Sequence, residues 1–234
     1  MKVLAVGAHP DDLEILCGGT LARYAQEGHD VVMCHATKGD RGSFEYSAEE
    51  VSTIRHREAG AAAEVIGAEH ISLGLSDAEV NASDPEQRLM MIDLVRATKP
   101  DVIITHSPND YMGDHNEVSR LVFDTSFFAS LPLIETAHAY HEVVPALFYM
   151  DTFTGLRFEP TEFVDISEVV ETKVQMLSCH ESQLRWIRDH DGVDIVGQLK
   201  ITGAFRGHQS GVPFAEGFER CLAWLRGTTT RLLP

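Results

Sequence analysis

The sequence alternates short apolar runs with longer segments of helical periodicity. The apolar runs largely lack the polar alternation of a half-exposed strand, and they comprise Val3–Ala8, His29–Ala36, Asp101–Thr105 and Ala146–Met150. Continuous apolar strands separated by helices indicate a parallel sheet that is covered on both faces. The pattern therefore predicts an α/β fold, namely a Rossmann-like three-layer sandwich with a mostly parallel central sheet.

Helical spacing and end signals predict the remaining elements. Helices are expected at Leu13–Gln26, Glu49–Ile66, Glu86–Thr98, Asn116–Ala129 and Ser167–His180, with a brief strand at Ile71–Leu73. The last part of the chain is predicted to form a loop over Arg206–Pro213 and a terminal helix over Phe214–Arg226. Because no repeat or linker interrupts the pattern, one domain is expected over residues 1–234.

The charge balance narrows the classes of partner. The chain carries 19 basic and 36 acidic side chains, for a net charge of -17, without a run of Lys or Arg. Such a surface repels nucleic acid and anionic membranes. No apolar run approaches the roughly 20 residues that span a bilayer, and Met1–Gly7 is too short for a signal peptide. We therefore expect a cytoplasmic protein that acts without nucleic acid or membrane.

A polar motif, Ala8-His9-Pro10-Asp11-Asp12, directly follows the first predicted strand. The carboxyl edge of a parallel sheet is where α/β proteins hold their ligands. His9 and Asp12 offer one nitrogen and one oxygen, both of which are common zinc ligands. Asp11 would then be a carboxylate near the metal that is able to take a proton from water. The alternative is that Asp11 and Asp12 only cap the helix that follows.

A second polar segment, from His106 to His115, follows the Asp101–Thr105 strand. It should therefore lie at the same sheet edge as the first motif. His115 is a candidate third ligand, which would leave one position open as in catalytic zinc sites. Asp114 is a candidate to orient a ligand from behind, although it could also cap the next helix.

These residues make the chain similar to a known group of proteins. The AHPDD motif and the downstream Asp114-His115 pair resemble the signatures of the PIG-L/LmbE-like zinc de-N-acetylases. The resemblance implies a Rossmann-like fold, with zinc held by His9, Asp12 and His115 and with Asp11 as the general base. It also implies hydrolysis of an N-acetyl group from an amino sugar or an N-acetylglucosamine conjugate, and a homo-oligomer such as a trimer or hexamer.

The resemblance also implies substrate-binding residues. By analogy Arg55 and Asp77 lie near the substrate, although Arg55 could instead pair with Glu58 on the helix surface. Where many family members have a second histidine, three residues before the zinc histidine, this chain has Met112. Methionine neither donates a proton nor polarises a carbonyl, so either the zinc alone stabilises the oxyanion or another side chain has this role. The candidates are Tyr111, His180 and His208.

Three other functions remain open at this point. A nucleotide-binding Rossmann-type protein would need a G-x-G-x-x-G turn after the first strand, where this chain has His-Pro-Asp-Asp. A metalloamidase of the same scaffold acting on a non-sugar amide and a catalytically inactive member are the others. The substrate pocket is expected to be bordered by Gly39–Ser47 and Arg185–Val212.

Overall fold

The computed structural model describes residues 1–228 and 230–234. The strands are β1 (Lys2–Gly7), β2 (Asp30–Thr37), β3 (Glu69–Leu75), β4 (Val102–His106), β5 (Ala146–Met150), β6 (Glu162–Asp165) and β7 (Ala215–Arg220). The helices are α1 (Asp12–Leu16), α2 (Gly18–Gln26), α3 (Ala48–Glu64), α4 (Pro85–Thr98), α5 (Gly113–Phe128), α6 (Val170–Ser178), α7 (Glu181–Asp191) and α8 (Ile195–Ser210).

The strands form one sheet in the order β3-β2-β1-β4-β5-β7-β6. The first five are parallel, and β7 runs antiparallel to both of its neighbours. Within the sheet Ala5 lies opposite Met33 on one side and Ile104 on the other, which places β1 in the middle of the five parallel strands. The predicted mostly parallel α/β sheet is confirmed.

Both faces of the sheet are covered, because successive side chains of a strand point to opposite faces. Val3 and Ala5 pack with apolar side chains of α1, α2 and α6. Leu4 and Val6 pack into a second cluster with side chains of α4 and α5. These four side chains are fully buried, which explains why β1 lacks polar residues. The two clusters make up the predicted three-layer arrangement.

Local capping signals set the start of two helices. Ser47 and Glu50 form a reciprocal capping box at the start of α3. Asp84 accepts hydrogen bonds from the first turn of α4, which begins with Pro85. Within residues 1–228 and 230–234, no helix has the length and apolar character needed to cross a bilayer.

The predicted helix over Leu13–Gln26 is two helices. The helix is interrupted at Cys17, whose φ of -142° is not helical, and α2 begins at Gly18. At Gly19 a Cβ atom would lie 2.7 Å from the Ile166 side chain. The break therefore brings the start of α2 against the segment that follows β6, a contact that helical periodicity does not reveal.

The expectations for the C-terminal region were wrong. Arg206, predicted to begin a loop, lies inside α8, and the predicted helix over Phe214–Arg226 contains strand β7 instead. β7 pairs on both sides, with β5 and with β6, and Phe218 within it is fully buried. Hydrogen bonding to two strands overrides the weak helical preference of this segment.

A buried ion pair and its neighbouring hydrogen bonds join β7 to helices α2 and α6. Glu216 accepts a hydrogen bond from Lys173 Nζ at 2.6 Å, and each side chain is 3% exposed. The same carboxylate accepts from the backbone of Gly19 and Thr20 at 2.9 and 2.7 Å and from the Thr20 hydroxyl. Glu216 therefore has four donors from α6 and the start of α2, which offset its loss of hydration.

Candidate metal centre

The candidate site lies where β1 and β4 end side by side. In the sheet β1 lies between β2, the next strand along the chain, and β4. The direction in which strands are added therefore reverses at β1. Ligands bind at such a switch point in open α/β sheets. The Ala8 backbone NH donates to His106 Nε2 at 2.9 Å and joins the two strand ends. The two polar motifs are thus adjacent, although about a hundred residues separate them in sequence.

His9, Asp12 and His115 converge at this edge. Each offers one ligand atom, and these atoms lie within 4.8 Å of one another. His115 Nε2 is 3.3 Å from Asp12 Oδ1, and His9 Nδ1 is 3.5 Å from Asp12 Oδ2. Two imidazoles and one carboxylate are a donor set that zinc uses in catalytic sites, where a fourth position remains open.

The surroundings of His115 suit a metal ligand. Its Nδ1 lies 2.9 Å from Asp110 Oδ2, while among the described residues its buried Nε2 has no hydrogen-bond partner. A carboxylate on one ring nitrogen favours the tautomer whose other nitrogen is free to bind a metal. Burial by itself would lower the pKa of His115, but the negative charges of Asp12 and Asp110 raise it to about 9.

Asp12 is held in place from several directions. Its Oδ2 accepts from the His9 backbone NH at 2.6 Å and lies 3.2 Å from His106 Nε2. The rings of His106 and His115 stack with centroids 3.8 Å apart. Burial would raise the pKa of Asp12, but His115 and His106 hold it well below its usual value. Asp12 is therefore an ionised carboxylate, which a divalent cation prefers.

Asp11 has a strained backbone and a perturbed carboxyl group. Its φ of 123° lies in a region that L-residues rarely adopt, and such strain concentrates at functional sites. It occupies the N-cap position of α1, yet its side chain makes no capping hydrogen bond. Burial, together with the charge of Asp12, raises the pKa of Asp11 to about 7. The geometry does not support the capping alternative for Asp11.

Asp114 contacts the opposite side of the ligand cluster. Its Oδ2 lies 3.1 Å from His9 Nε2 and accepts from the Ala78 backbone NH at 2.7 Å. The N-cap residue of α5 is Met112, so Asp114 is not the cap of that helix. Burial would lower the pKa of His9, but Asp114 and Asp12 raise it well above its usual value. Asp114 is thus placed to orient His9 rather than His115.

The structure does not bring Arg55 and Asp77 into the cavity. Arg55 is buried, and its guanidinium donates to the carbonyl oxygens of Gly39 and Gly42, both at 2.7 Å. Asp77 accepts from the backbone of Gly39 and Arg41. Both residues therefore organise the loop that follows β2. The alternative of an Arg55–Glu58 ion pair is also not what is seen, because Glu58 accepts from Ser182.

A cavity of about 520 Å³ opens over the cluster. Tyr111 and Met112 line it beside His9, Asp11, Asp12 and His115, and both are partly exposed. The far wall comes from α7, the start of α8 and the segment after β5. Of the two predicted border segments, the one from Arg185 onward lines the cavity, through residues such as Trp186. Trp186 packs on the exposed Phe44 of the other, with ring centroids 4.7 Å apart.

The two remaining histidine candidates lie in different environments. His180 is fully buried, and its Nε2 is 3.1 Å from Oε1 of Glu14, another buried residue. Burial would lower the pKa of His180, but Glu14 raises it. His208 is exposed on α8 and does not line the cavity. Tyr111 is therefore the candidate of the three that lines the cavity.

Sequence reasoning missed the positions of His106 and Asp110. His106 is the last residue of β4, and Asp110 lies in the turn between β4 and α5. Both contact the predicted ligands Asp12 or His115. A signal was present, since both belong to the same polar segment as His115, but the fold of the turn decides which side chain points inward.

Comparison with known proteins agrees with this architecture. Residues 4–126, more than half of the chain, match the family described as GlcNAc-PI de-N-acetylase, or PIG-L. The chain belongs to this family. A diacetylchitobiose deacetylase from Thermococcus kodakarensis is 30% identical over 228 residues, which cover 92% of this chain and 81% of that protein.

Solved structures share the whole fold of this PIG-L family member. The conserved protein TT1542 from Thermus thermophilus superposes with a TM-score of 0.81 at 28% identity, covering 98% of this chain and 99% of its own. The 4-carboxy-2-hydroxymuconate hydratase from Pseudomonas putida gives a TM-score of 0.82 at 21% identity, with 100% and 99% coverage. The second likeness is one of fold alone.

Proposed function

We propose that this chain is a zinc-dependent hydrolase that removes the acetyl group from an N-acetylated amino sugar or N-acetylglucosamine conjugate. The observation that carries the proposal is the convergence of His9, Asp12 and His115 within 4.8 Å beside the carboxyl group of Asp11. The family match and the relation to a diacetylchitobiose deacetylase support the same reaction class.

His9, Asp12 and His115 would hold the ion, and the free Nε2 of His115 fits that role. A bound divalent ion would supply positive charge that lowers the pKa of water from about 16 toward 7 and polarises the amide carbonyl. Asp110 and Asp114 would keep the two imidazoles oriented by hydrogen bonds to their outer nitrogens.

Asp11 would act as the general base and then as the general acid. Its carboxylate accepts a proton from the attacking water as the oxygen forms a bond to the amide carbon. It then returns this proton to the nitrogen as the C–N bond breaks, which leaves acetate and a free amine. A pKa near 7 suits both transfers at neutral pH. Tyr111 lines the cavity, and we assign its hydroxyl to stabilise the developing oxyanion. It would replace the histidine that many family members have at the position of Met112.

The nucleotide-binding alternative has no support in the site, because the turn after β1 is filled by ionisable groups. Amide hydrolysis also suits the cavity better than the hydratase chemistry of the Pseudomonas relative. That protein's substrate is named as a carboxylate, whereas among the described residues neither Lys nor Arg lines the cavity of this chain.

The test is release of acetate from N-acetylglucosamine, its conjugates and diacetylchitobiose by zinc-loaded protein, before and after treatment with a chelator. Asp11→Asn should keep the metal, measured by elemental analysis, and lose at least a thousandfold in kcat. Asp30→Asn, an exposed aspartate at the start of β2, is the matched control and should retain full activity. Near-full activity of metal-loaded Asp11→Asn would contradict the assignment.

A further inference from the structure

We infer that the substrate carries an apolar group near the reacting amide and no phosphate or carboxylate. This inference rests on the proposed function, because it concerns what occupies the cavity beside the candidate metal centre. The apolar group is either an aglycone, with acetyl still the group removed, or a longer N-acyl chain, for which acetyl is the shortest acyl group in the same reaction. The same wall would recognise both.

Part of the cavity lining is an apolar wall. It is formed by six side chains from α1, the segment after β5, α7 and the start of α8: Ile15, Leu16, Phe153, Ile187, Val193 and Ile195. A site built for a bare sugar alone would present more hydrogen-bonding groups to its hydroxyls. Here the polar lining beyond the ligand cluster is confined to Tyr111, Thr154, Gln183 and Asp191, with the indole of Trp186.

The charges around the cavity disfavour an anionic substrate. Within the described residues its lining holds Asp11, Asp12 and Asp191 and neither Lys nor Arg. On α7, Arg185 is paired with Glu45 at 2.8 Å and Arg188 with Asp189 at 3.0 Å. Recognition of phosphate or carboxylate ordinarily uses such cations, often through bidentate contacts. Neither of these two arginines lines the cavity.

Arg55 lies near the ligand cluster, but its guanidinium already binds backbone carbonyl groups. Two of its guanidinium nitrogens donate to the carbonyl oxygens of Gly39 and Gly42, and it is 2% exposed. Its charge acts on Asp11 through space, but the side chain does not line the cavity. An anionic substituent would therefore have to displace a structural contact to reach it.

The volume leaves room for the added group. A cavity of about 520 Å³ falls within the range of sites that enclose ligands larger than a monosaccharide. Each methylene that is transferred from water to an apolar wall improves binding about fourfold. A four-carbon group that contacts this wall should thus raise kcat/KM at least tenfold over its one-carbon counterpart.

The experiment compares matched substrates with the zinc-loaded protein. The aglycone arm uses the methyl and butyl β-glycosides of N-acetylglucosamine, and the acyl arm uses N-acetyl and N-hexanoyl glucosamine methyl glycosides. N-acetylglucosamine 6-phosphate is the anionic probe. We expect one arm to gain at least tenfold in kcat/KM and the phosphate to fall at least tenfold below the methyl glycoside. Gains below twofold in both arms, or a preference for the phosphate, would overturn the inference.

Two variants connect the preference to the wall. Ile187→Asn should lower the ratio of the preferred substrate to its shorter counterpart at least fivefold. Ile201→Asn places the same change at an exposed position of α8 outside the cavity and should leave the ratio unchanged. An unchanged ratio in Ile187→Asn would remove the wall from the explanation.

The design separates this inference from the proposed function. If no glycoside is hydrolysed, the proposed function fails. Calorimetric binding still decides the inference, through two comparisons. One compares the butyl with the methyl glycoside, and the other compares the N-hexanoyl with the N-acetyl glucosamine methyl glycoside. At least tenfold tighter binding of the butyl glycoside or of the hexanoyl compound supports an apolar subsite. Equal binding within both pairs rejects it.

Discussion

Replacing Lys173 with methionine should destabilise the protein far more than replacing a lysine on its surface. The Lys173–Glu216 pair is almost fully buried at 2.6 Å, so Lys173→Met leaves a carboxylate without its cation. Removing one partner of a buried pair costs about 3–5 kcal/mol. Because Gly19 and Thr20 continue to donate to Glu216, the cost should lie at the lower end, about 3 kcal/mol.

The assay is urea unfolding followed by circular dichroism, with thermal unfolding as a second measurement. A loss of about 3 kcal/mol corresponds to a Tm lowered by about 6–12 °C for a chain of this length. Lys200→Met is the matched control, because its 2.9 Å pair with Glu171 is exposed and such pairs contribute about 0–1 kcal/mol. A Lys173→Met protein no less stable than this control would refute the reasoning.

Three other changes test the metal site and the packing beside it. Metal affinity should rise as pH increases from 6 to 8, by about tenfold per pH unit for each proton displaced, because the raised pKa of His115 (about 9) makes the ion compete with a proton. Calorimetry in buffers of different ionisation enthalpy counts the protons that are released. An affinity independent of pH would contradict this expectation. Asp110→Asn should weaken zinc binding about 10–100-fold, since it removes the carboxylate at His115 Nδ1. The measurement is a competition assay with a chromophoric chelator. Unchanged affinity would mean that this contact does not orient His115. Gly19→Ala should cost about 1–3 kcal/mol in urea unfolding, because the new methyl group would lie 2.7 Å from Ile166. Gly113→Ala, with nothing within 4 Å of its Cβ, is the matched control. Equal stabilities of the two alanine variants would argue against overpacking.

The parallel part of the sheet was predictable because its strands are buried on both faces. Runs such as Val3–Ala8 and Ala146–Met150 have no choice of exposed face, so their composition alone identifies them. The antiparallel β7 was not predictable in the same way. From the sequence, a glutamate such as Glu216 is expected at the surface. Its burial is possible because Lys173 from α6 and donors from α2 bind its carboxylate. No local pattern contains that information.

The candidate ligands were predictable for a topological reason, whereas their supporting contacts were not. Both motifs follow strands of one parallel sheet, so His9 and His115 had to reach the same edge. Asp110 shares a turn with several other polar residues, and only the path of that turn selects it as the partner of His115. For the same reason the role of Arg55 could not be read from its place on a helix, since its hydrogen bonds go to a distant loop.

The adjacency of β1 and β4 also bears on how the protein matures. His9 and Asp12 follow β1, whereas His115 follows β4, so the three candidate ligands meet only after a pairing between distant parts of the chain has formed. Such non-local pairings form late and slowly in folding. An ion held by these residues would therefore not nucleate the fold as zinc does in a zinc finger. With the proposed ion at this site, newly made chains should fold before they bind it, and removing it with a chelator should abolish activity while the protein stays folded.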